Sequence, residues 1–550
     1  MRDLAYLKLL SREYPNIRAA ASDIINLQAI CGLPKGTEYF FSDLHGEHEA
    51  FIYLLRSSSG IIREKIRETF GHIISEEDEV RLANLIYYPE KMINQIKQAN
   101  EYTEDWQKTA VYRLVQICRE VSSKYTRSKV RKKMPKEFSG VIDELLYVDN
   151  TDDNKTEYYS ELINTLIDVR VADSFIVVIC SLIRSLTIDN LHILGDIFDR
   201  GPRPDIILEE LMHFHDVDIQ WGNHDISWMG AATGNRACIC NVLRMALGYN
   251  GFDVLEDGYG INLRPLSMFA ERVYRDDPCT CFLPQILDKN IYDAVDPKLA
   301  AKMHKAIAVL QYKEEGQIIK RHPEYGMEER ILLSAIRYDR GTVTIDGKEY
   351  PMRDMNFPTV DPADPLRLTD EEEELLHTLE LSFRHNARLH EHVRFLYSNG
   401  SMYKCCNSNL LYHGCIPMTE NREFDGLMVG GKMYRGKELM DFIDTQVKNA
   451  YFLPEDAPEK EACRDFMWYL WNGAKSPVFG KDKNRSFEHY FIEDPEVMRE
   501  TMNPYYQLSE EEETCDMILK EFGLPTKGSH IINGHMPVKI KSGETPIRAG

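Results

Sequence analysis

The chain has 550 residues, 43% of them hydrophobic and 28% charged, with 32 Gly and 24 Pro; this near-average globular composition excludes collagen-like, coiled-coil and wholly disordered chains. At this length it holds roughly three or four domains, or one core enlarged by insertions. A net charge of −22 repels nucleic acid and anionic membranes as a whole, so a phosphate-bearing ligand needs a local positive site or a metal ion.

Met1 begins a polar segment without a signal-peptide pattern, and residues 1–35 read as a helical lead-in. A first strand is expected at 37–43 (TEYFFSD). From Trp106 onward, Ala110, Leu114, Ile117, Cys118 and Val121 keep the 3.6-residue period of an amphipathic helix, and 51–185 reads as a largely helical insertion. Its longest apolar run, 174–183, is about half of the roughly 20 residues that span a membrane. A cytoplasmic chain with no membrane contact is therefore expected. The twelve cysteines show no C-x-x-C spacing and read as reduced thiols.

Runs at 190–196 (NLHILGD) and 217–223 (VDIQWGN) break at Gly, Asp or Asn, as buried strands do when they hand polar residues to their C-terminal ends. The interval 236–400 carries helix signals such as the capping box from Thr369 to Glu372. Acidic runs at 370–374 and 510–513, after Thr369 and Ser509, read as helix N-termini. Two more strands are expected at 409–414 (NLLYHG) and 530–535 (HIINGH). The core is thus discontinuous, about 36–50, 186–235 and 400–550, with insertions at 51–185 and 236–400. Five strand ends that each present Asp, Asn or His point to a site along the carboxyl edge of an α/β sheet.

Three motifs carry the chemistry: Asp43-Leu44-His45-Gly46, Gly195-Asp196-Ile197-Phe198-Asp199-Arg200-Gly201, and Gly222-Asn223-His224-Asp225. Two divalent ions roughly 3.5–4 Å apart need a shared carboxylate, and Asp196 is the candidate bridge. Asp43 and His45 are expected to reach one ion, because residues i and i+2 project to the same side of an extended chain. Asn223 offers a neutral oxygen to the other ion, which His413 and His535 at later strand ends would complete.

This set resembles the metallophosphoesterase (calcineurin-like) superfamily, in the branch with HG and GH histidines. The flanking blocks FSDLHGE, GDIFDRGPRPDIILE, GNHDISWMGAATGN and SPVFGKDKNRSFEHYFI are similar to the class III, Firmicutes-type fructose-1,6-bisphosphatases. The resemblance implies a metallophosphoesterase β-sandwich core flanked by helices, with large helical insertions. It implies two Mn2+ ions per site, one held by Asp43, His45 and Asp196, the other by Asp196, Asn223, His413 and His535. A metal-activated hydroxide would then hydrolyse fructose 1,6-bisphosphate to fructose 6-phosphate in gluconeogenesis. His224 would protonate the leaving alkoxide, Asp199 would orient its ring, and Arg200 would bind phosphate oxygens. The substrate would be a small sugar phosphate, with a homo-oligomer left open. The family pattern also implies a further C-terminal part beyond Gly550, toward which 539–550 reads as a turn.

Other signals are weighed against this reading. Gly431 to Lys437 match the phosphate-binding loop until Glu438 replaces the required Ser or Thr, so the match is a decoy. The basic residues Arg127, Lys129, Arg131, Lys132, Lys133 and Lys136 read as a solvated face or an intersubunit salt-bridge strip. Arg384, Arg388, Arg394 and Lys404 are candidates for a second phosphate. The alternatives are a phosphoprotein or dinucleoside polyphosphate phosphatase on the same metal site, and a catalytically silent scaffold on the same fold.

Overall fold

The computed structural model describes residues 2–32, 36–147, 153–286, 295–539, 541 and 543–549, so the expected turn at 539–550 lies partly outside the described residues. The architecture is mixed α/β, predominantly helical with small sheets. Two compact units emerge: Met1–Tyr39 with Ile52–Leu191, and Phe40–Phe51 with His192–Gly550.

The first unit is helical. The period starting at Trp106 forms Glu104–Ser122, which buries Ala110, Leu114, Ile117, Cys118 and Val121. Those residues pack against Ala172–Thr187, whose Phe175, Ile176, Ile179, Cys180 and Ile183 are buried. The apolar run at 174–183 is thus a core helix, and no described helix is long and apolar enough to cross a membrane. The basic cluster keeps the solvated face of its expectation, with Arg127, Arg131, Lys132 and Lys136 exposed, and pairs charges within its own unit. Arg127 and Arg131 pair with Asp143 at 2.8 and 2.6 Å, and Lys129 and Lys133 pair with Asp189 at 2.5 and 3.0 Å. It is a salt-bridge belt inside the unit, because Asp143 and Asp189 are nearly buried and need cations nearby.

All five expected strand runs form strands, but on two sheets instead of one edge. Glu38–Phe41, Asn190–Ile193, Val217–Gln220 and Gly400–Ser401 make a four-stranded sheet in that order. Asn409–Tyr412 sits between His530–Ile532, parallel to it, and Tyr403–Cys406, antiparallel to it.

Two hairpins in the second unit were not expected. Thr342–Ile345 and Lys348–Pro351 pair around Asp346-Gly347, where both residues hold positive φ; Asp-Gly is a strong tight-hairpin signal. Gly426–Val429 and Lys432–Arg435 pair around Gly430-Gly431, so the phosphate-loop decoy is a hairpin leading into the helix Gly436–Phe452.

The Thr369 capping box forms as expected, with its two bonds at 2.8 and 3.2 Å. Ser509 does not cap the second acidic run, whose helix begins at Glu512. There Glu511 and Glu513 pair with Arg422. The described cysteines form no disulfide.

Candidate active site

All nine expected site residues lie in the second unit, and its strand ends bring them together. Past Glu38–Phe41 the backbone turns, so that Asp43 N–H donates to Gly195 O at 3.0 Å, His45 N–H to Asp196 O at 2.9 Å and Gly46 N–H to Ile197 O at 2.8 Å. The chain here is not extended, contrary to expectation. Asp43 and His45 share a side because both sit in the left-handed region, with φ of 54° and 48°. Asp196, Asp199 and His535 also hold positive φ, at 54°, 152° and 67°. Such strain costs about 1–3 kcal/mol per residue and gathers where function dictates geometry, and Asp and His tolerate it better than bulky residues.

Asp196 is the hub. It is 3% exposed. Its Oδ1 accepts the His224 backbone N–H at 3.1 Å, while Oδ2 lies 3.3 Å from His413 Nε2 and 3.9 Å from His45 Nε2. His413 Nδ1 meets Leu194 O at 2.6 Å, and His535 Nε2 meets Phe479 O at 3.1 Å. With those nitrogens donating to carbonyls, His413 Nε2 and His535 Nδ1 face each other at 3.2 Å. Two inward nitrogens, each backed by a carbonyl, form the outer-shell pattern that presents imidazoles to a metal.

Burial would lower the pKa of His413, but the Asp196 carboxylate pushes it up to about 9. Burial and the charge on His413 push His535 down to about 3. Asp196 is held well below the usual carboxylate range: burial opposes this, and the His413 and His224 charges outweigh it.

Asn223 and Asp43 complete the arrangement. The Asn223 side-chain oxygen is buried and accepts no hydrogen bond among the described residues. A buried amide oxygen without a partner is costly unless a cation or donor faces it. Both Asp43 oxygens accept the His535 backbone N–H at 3.1 Å. Two triplets follow, Asp43–His45–Asp196 and Asp196–His413–His535, each with ligating atoms within 4.8 Å of one another and sharing Asp196. The donor chemistry fits two divalent ions.

Beside this hub, Asp199 Oδ1 lies 3.4 Å from His224 Nδ1. Its Oδ2 lies 3.7 Å from His45 Nδ1 and 3.8 Å from Arg200 Nε. Arg200 is half exposed. Asp205 pairs instead with Arg203 at 2.7 Å and Arg388 at 3.0 Å.

Close packing explains the motif glycines. A Cβ on Gly195, which has φ of 81°, would fall 2.6 Å from His413 Nδ1, and one on Gly222 would fall 2.1 Å from Asp196 Oδ1.

The candidates for a second phosphate fare differently. Arg384 pairs with Glu380 and Glu455, Arg388 with Asp205 and Glu209, and Lys404 with Asp218. The charge of these three is already answered by carboxylates, while Arg394, the fourth candidate, is exposed.

Two residues of the site carry no role in the sequence reading. Trp471 sets its ring 4.9 Å from that of His224, at 80°. Asp225, fully buried, accepts the backbone N–H groups of Asp196, Ile197, Phe198 and Gly222 at 2.8, 2.9, 3.3 and 3.0 Å. It thereby ties the turn after Asn190–Ile193 to the start of Asn223–Thr233. Its place as the last residue of Gly-Asn-His-Asp was the available signal. Asp225→Asn will turn an amide NH2 toward those donors, and hydrogen bonds to a charged group are worth about 1.5–3 kcal/mol each. Thermal unfolding should show a loss of about 3 kcal/mol, and unchanged stability would remove Asp225 from this anchoring role.

The sequence model of the family described as Firmicute fructose-1,6-bisphosphatase matches residues 5–550. The chain is similar to the fructose-1,6-bisphosphatase class 3 of Clostridium tetani, 51% identical over 547 residues that cover 100% of this chain and 82% of that one. The same class 3 enzyme of Alkaliphilus metalliredigens is 51% identical over 549 residues, covering 100% and 83%. That of Clostridium acetobutylicum is 50% identical over 547 residues, covering 100% and 82%. No solved structure matches the chain.

Proposed function

Because the chain belongs to the Firmicute fructose-1,6-bisphosphatase family, we propose that it hydrolyses fructose 1,6-bisphosphate to fructose 6-phosphate and phosphate, as gluconeogenesis requires. The observation that carries the reading is the pair of ligand triplets joined through Asp196, beside a histidine held by a second carboxylate. The pair of sheets that delivers these residues is read as the metallophosphoesterase β-sandwich core.

In this reading Asp43, His45 and Asp196 hold one Mn2+ ion, and Asp196, Asn223, His413 and His535 hold the other. When bound, the ions neutralise charge on the phosphoryl group and lower the pKa of attacking water. Arg200 binds phosphate oxygens with its planar fork. His224 gives its proton to the sugar oxygen as the P–O bond breaks, and Asp199 holds the ring for that transfer. The outer carbonyls of Leu194 and Phe479 keep the histidine nitrogens aimed inward. The reaction is assigned to the cytoplasm, where the substrate is a soluble sugar phosphate.

Phosphate release from fructose 1,6-bisphosphate, a phosphopeptide and a dinucleoside tetraphosphate, each with manganese, magnesium or chelator, tests the reading. The bisphosphate should be turned over fastest with manganese and not at all with chelator. Faster turnover of either other substrate would replace the assignment with a different phosphatase, and no turnover of any would leave a silent scaffold.

A further inference from the structure

The carboxylate beside His224 is short of donors. Asp199 Oδ1 is buried and receives no hydrogen bond among the described residues, since His224 Nδ1 stands 3.4 Å away and the basic nitrogens nearest Oδ2 are 3.7 and 3.8 Å away. A carboxylate whose side chain is only 9% exposed calls for donors at hydrogen-bond distance. A small cavity of about 10 Å³ lies against it, with Asp199, His224, Ser227, Trp228 and Asn241 in its wall. For a water-sized probe this is the room of about one water molecule.

Donors with a fixed direction lead to this cavity. Arg244, in the helix Arg236–Gly248, is 5% exposed, and its guanidinium donates to Gln311 Oε1 at 2.7 Å, the Tyr490 hydroxyl at 3.0 Å and Asn241 Oδ1 at 2.9 Å. A guanidinium only donates, so the side of the Asn241 amide that faces it is the oxygen, and the NH2 is left for Ser227 Oγ at 2.8 Å. An NH2 also only donates. Ser227 Oγ therefore accepts there, and its own proton points elsewhere. Thr233, in the same helix Asn223–Thr233, gives its proton to Gly230 O at 2.7 Å, one turn back. Ser227, 2% exposed, makes no such bond among the described residues. The carboxylate that shares its cavity is Asp199.

We propose that Ser227 is a positioning residue of the phosphatase reaction: through one water bound in the cavity it donates to Asp199, and with Asn241 and Arg244 behind it fixes the carboxylate that holds the His224 ring. Donation runs one way along the whole chain, from guanidinium to amide, hydroxyl, water and carboxylate, and hydrogen bonds in such a chain strengthen one another. This role rests on the proposed function, in which His224 gives its proton to the leaving oxygen.

Two variants of the metal-loaded chain test it on fructose 1,6-bisphosphate and nitrophenyl phosphate. Ser227→Ala removes the hydroxyl within a helix, where alanine is well accepted. It should lower kcat for the bisphosphate at least about tenfold, the lower range for a hydrogen bond to a charged group, with KM moved less than about twofold. Nitrophenyl phosphate turnover, which depends little on a proton donor, should fall less than about threefold. Asn241→Asp keeps the shape and the bond to Arg244, but its carboxylate only accepts, so Ser227 has to turn its proton away from the cavity. It should show the same split between substrates. In an Asp199→Asn chain, Ser227→Ala should lower kcat by less than about a further twofold, because the charge it acts on has gone. Parental kcat in either folded variant, equal losses on both substrates, a loss confined to KM, or an undiminished loss in the Asp199→Asn chain would each overturn the proposal. A parent chain that hydrolyses another alkyl phosphate but not the bisphosphate would overturn the functional reading alone, because the same split is then read on that ester. Hydrolysis of neither class of ester would overturn both.

Discussion

Asp196→Asn is expected to cut turnover of fructose 1,6-bisphosphate by at least about 10³-fold, or about 4 kcal/mol of transition-state stabilisation. The carboxylate is buried, and its two oxygens serve different partners, Oδ1 the His224 backbone N–H and Oδ2 the His413 ring. An amide in the same space keeps one acceptor and turns an NH2 toward one of them. It also removes the negative charge that both ligand triplets share, so two cations brought close together would face each other with less compensation. Metal content, measured by elemental analysis after dialysis, should fall along with turnover. Near-parental activity with metal content unchanged would remove Asp196 from the bridging role.

The second large effect is expected at His224. His224→Ala should slow bisphosphate hydrolysis by about 10²–10⁴-fold, the range of a positioned proton donor, with metal content unchanged. The geometry behind this is the ring held 3.4 Å from Asp199 and flanked by Trp471. The chemistry gives the prediction a second arm. A sugar alkoxide leaves poorly without a proton, whereas a nitrophenolate leaves readily, so nitrophenyl phosphate hydrolysis should lose far less. Equal losses on both substrates would give His224 a binding or structural role.

Much of the candidate site was legible because its residues sit where strands end, and strand ends are marked by a change from apolar residues to Gly, Asp, Asn and His. Asp43, Asp196 and Asn223 follow that rule on one sheet, His413 and His535 on the other. The division into two sheets was not legible, since five apolar runs carry no sign of which strand pairs with which. The hairpin at Asp346-Gly347 was legible and passed over, its turn signal lying in an interval dominated by helix patterns. The motif Gly-Asn-His-Asp marked Asp225 as part of the site, but its anchoring role was hidden, because the backbone N–H groups it receives leave no trace in side-chain identity. The neutralisation of Arg388 and Lys404 was hidden for a related reason: their partners Asp205, Glu209 and Asp218 are nearly 180 residues or more away in sequence.

The hydrogen bond from the His535 backbone to the Asp43 carboxylate spans 492 positions of sequence. At a ribosomal rate of 5–20 residues per second, about 25–100 s separate the emergence of the two partners. Asp43, His45, Asp196 and Asn223 leave the ribosome first, and His413 follows 190 positions after Asn223, with His535 later still. A nascent chain can therefore offer the Asp43, His45 and Asp196 triplet to a cation long before His413 and His535 arrive. The sheet built on Asn409–Tyr412 and His530–Ile532 is then the last part of the site to emerge, and its docking fixes when during synthesis the two triplets that share Asp196 first come together.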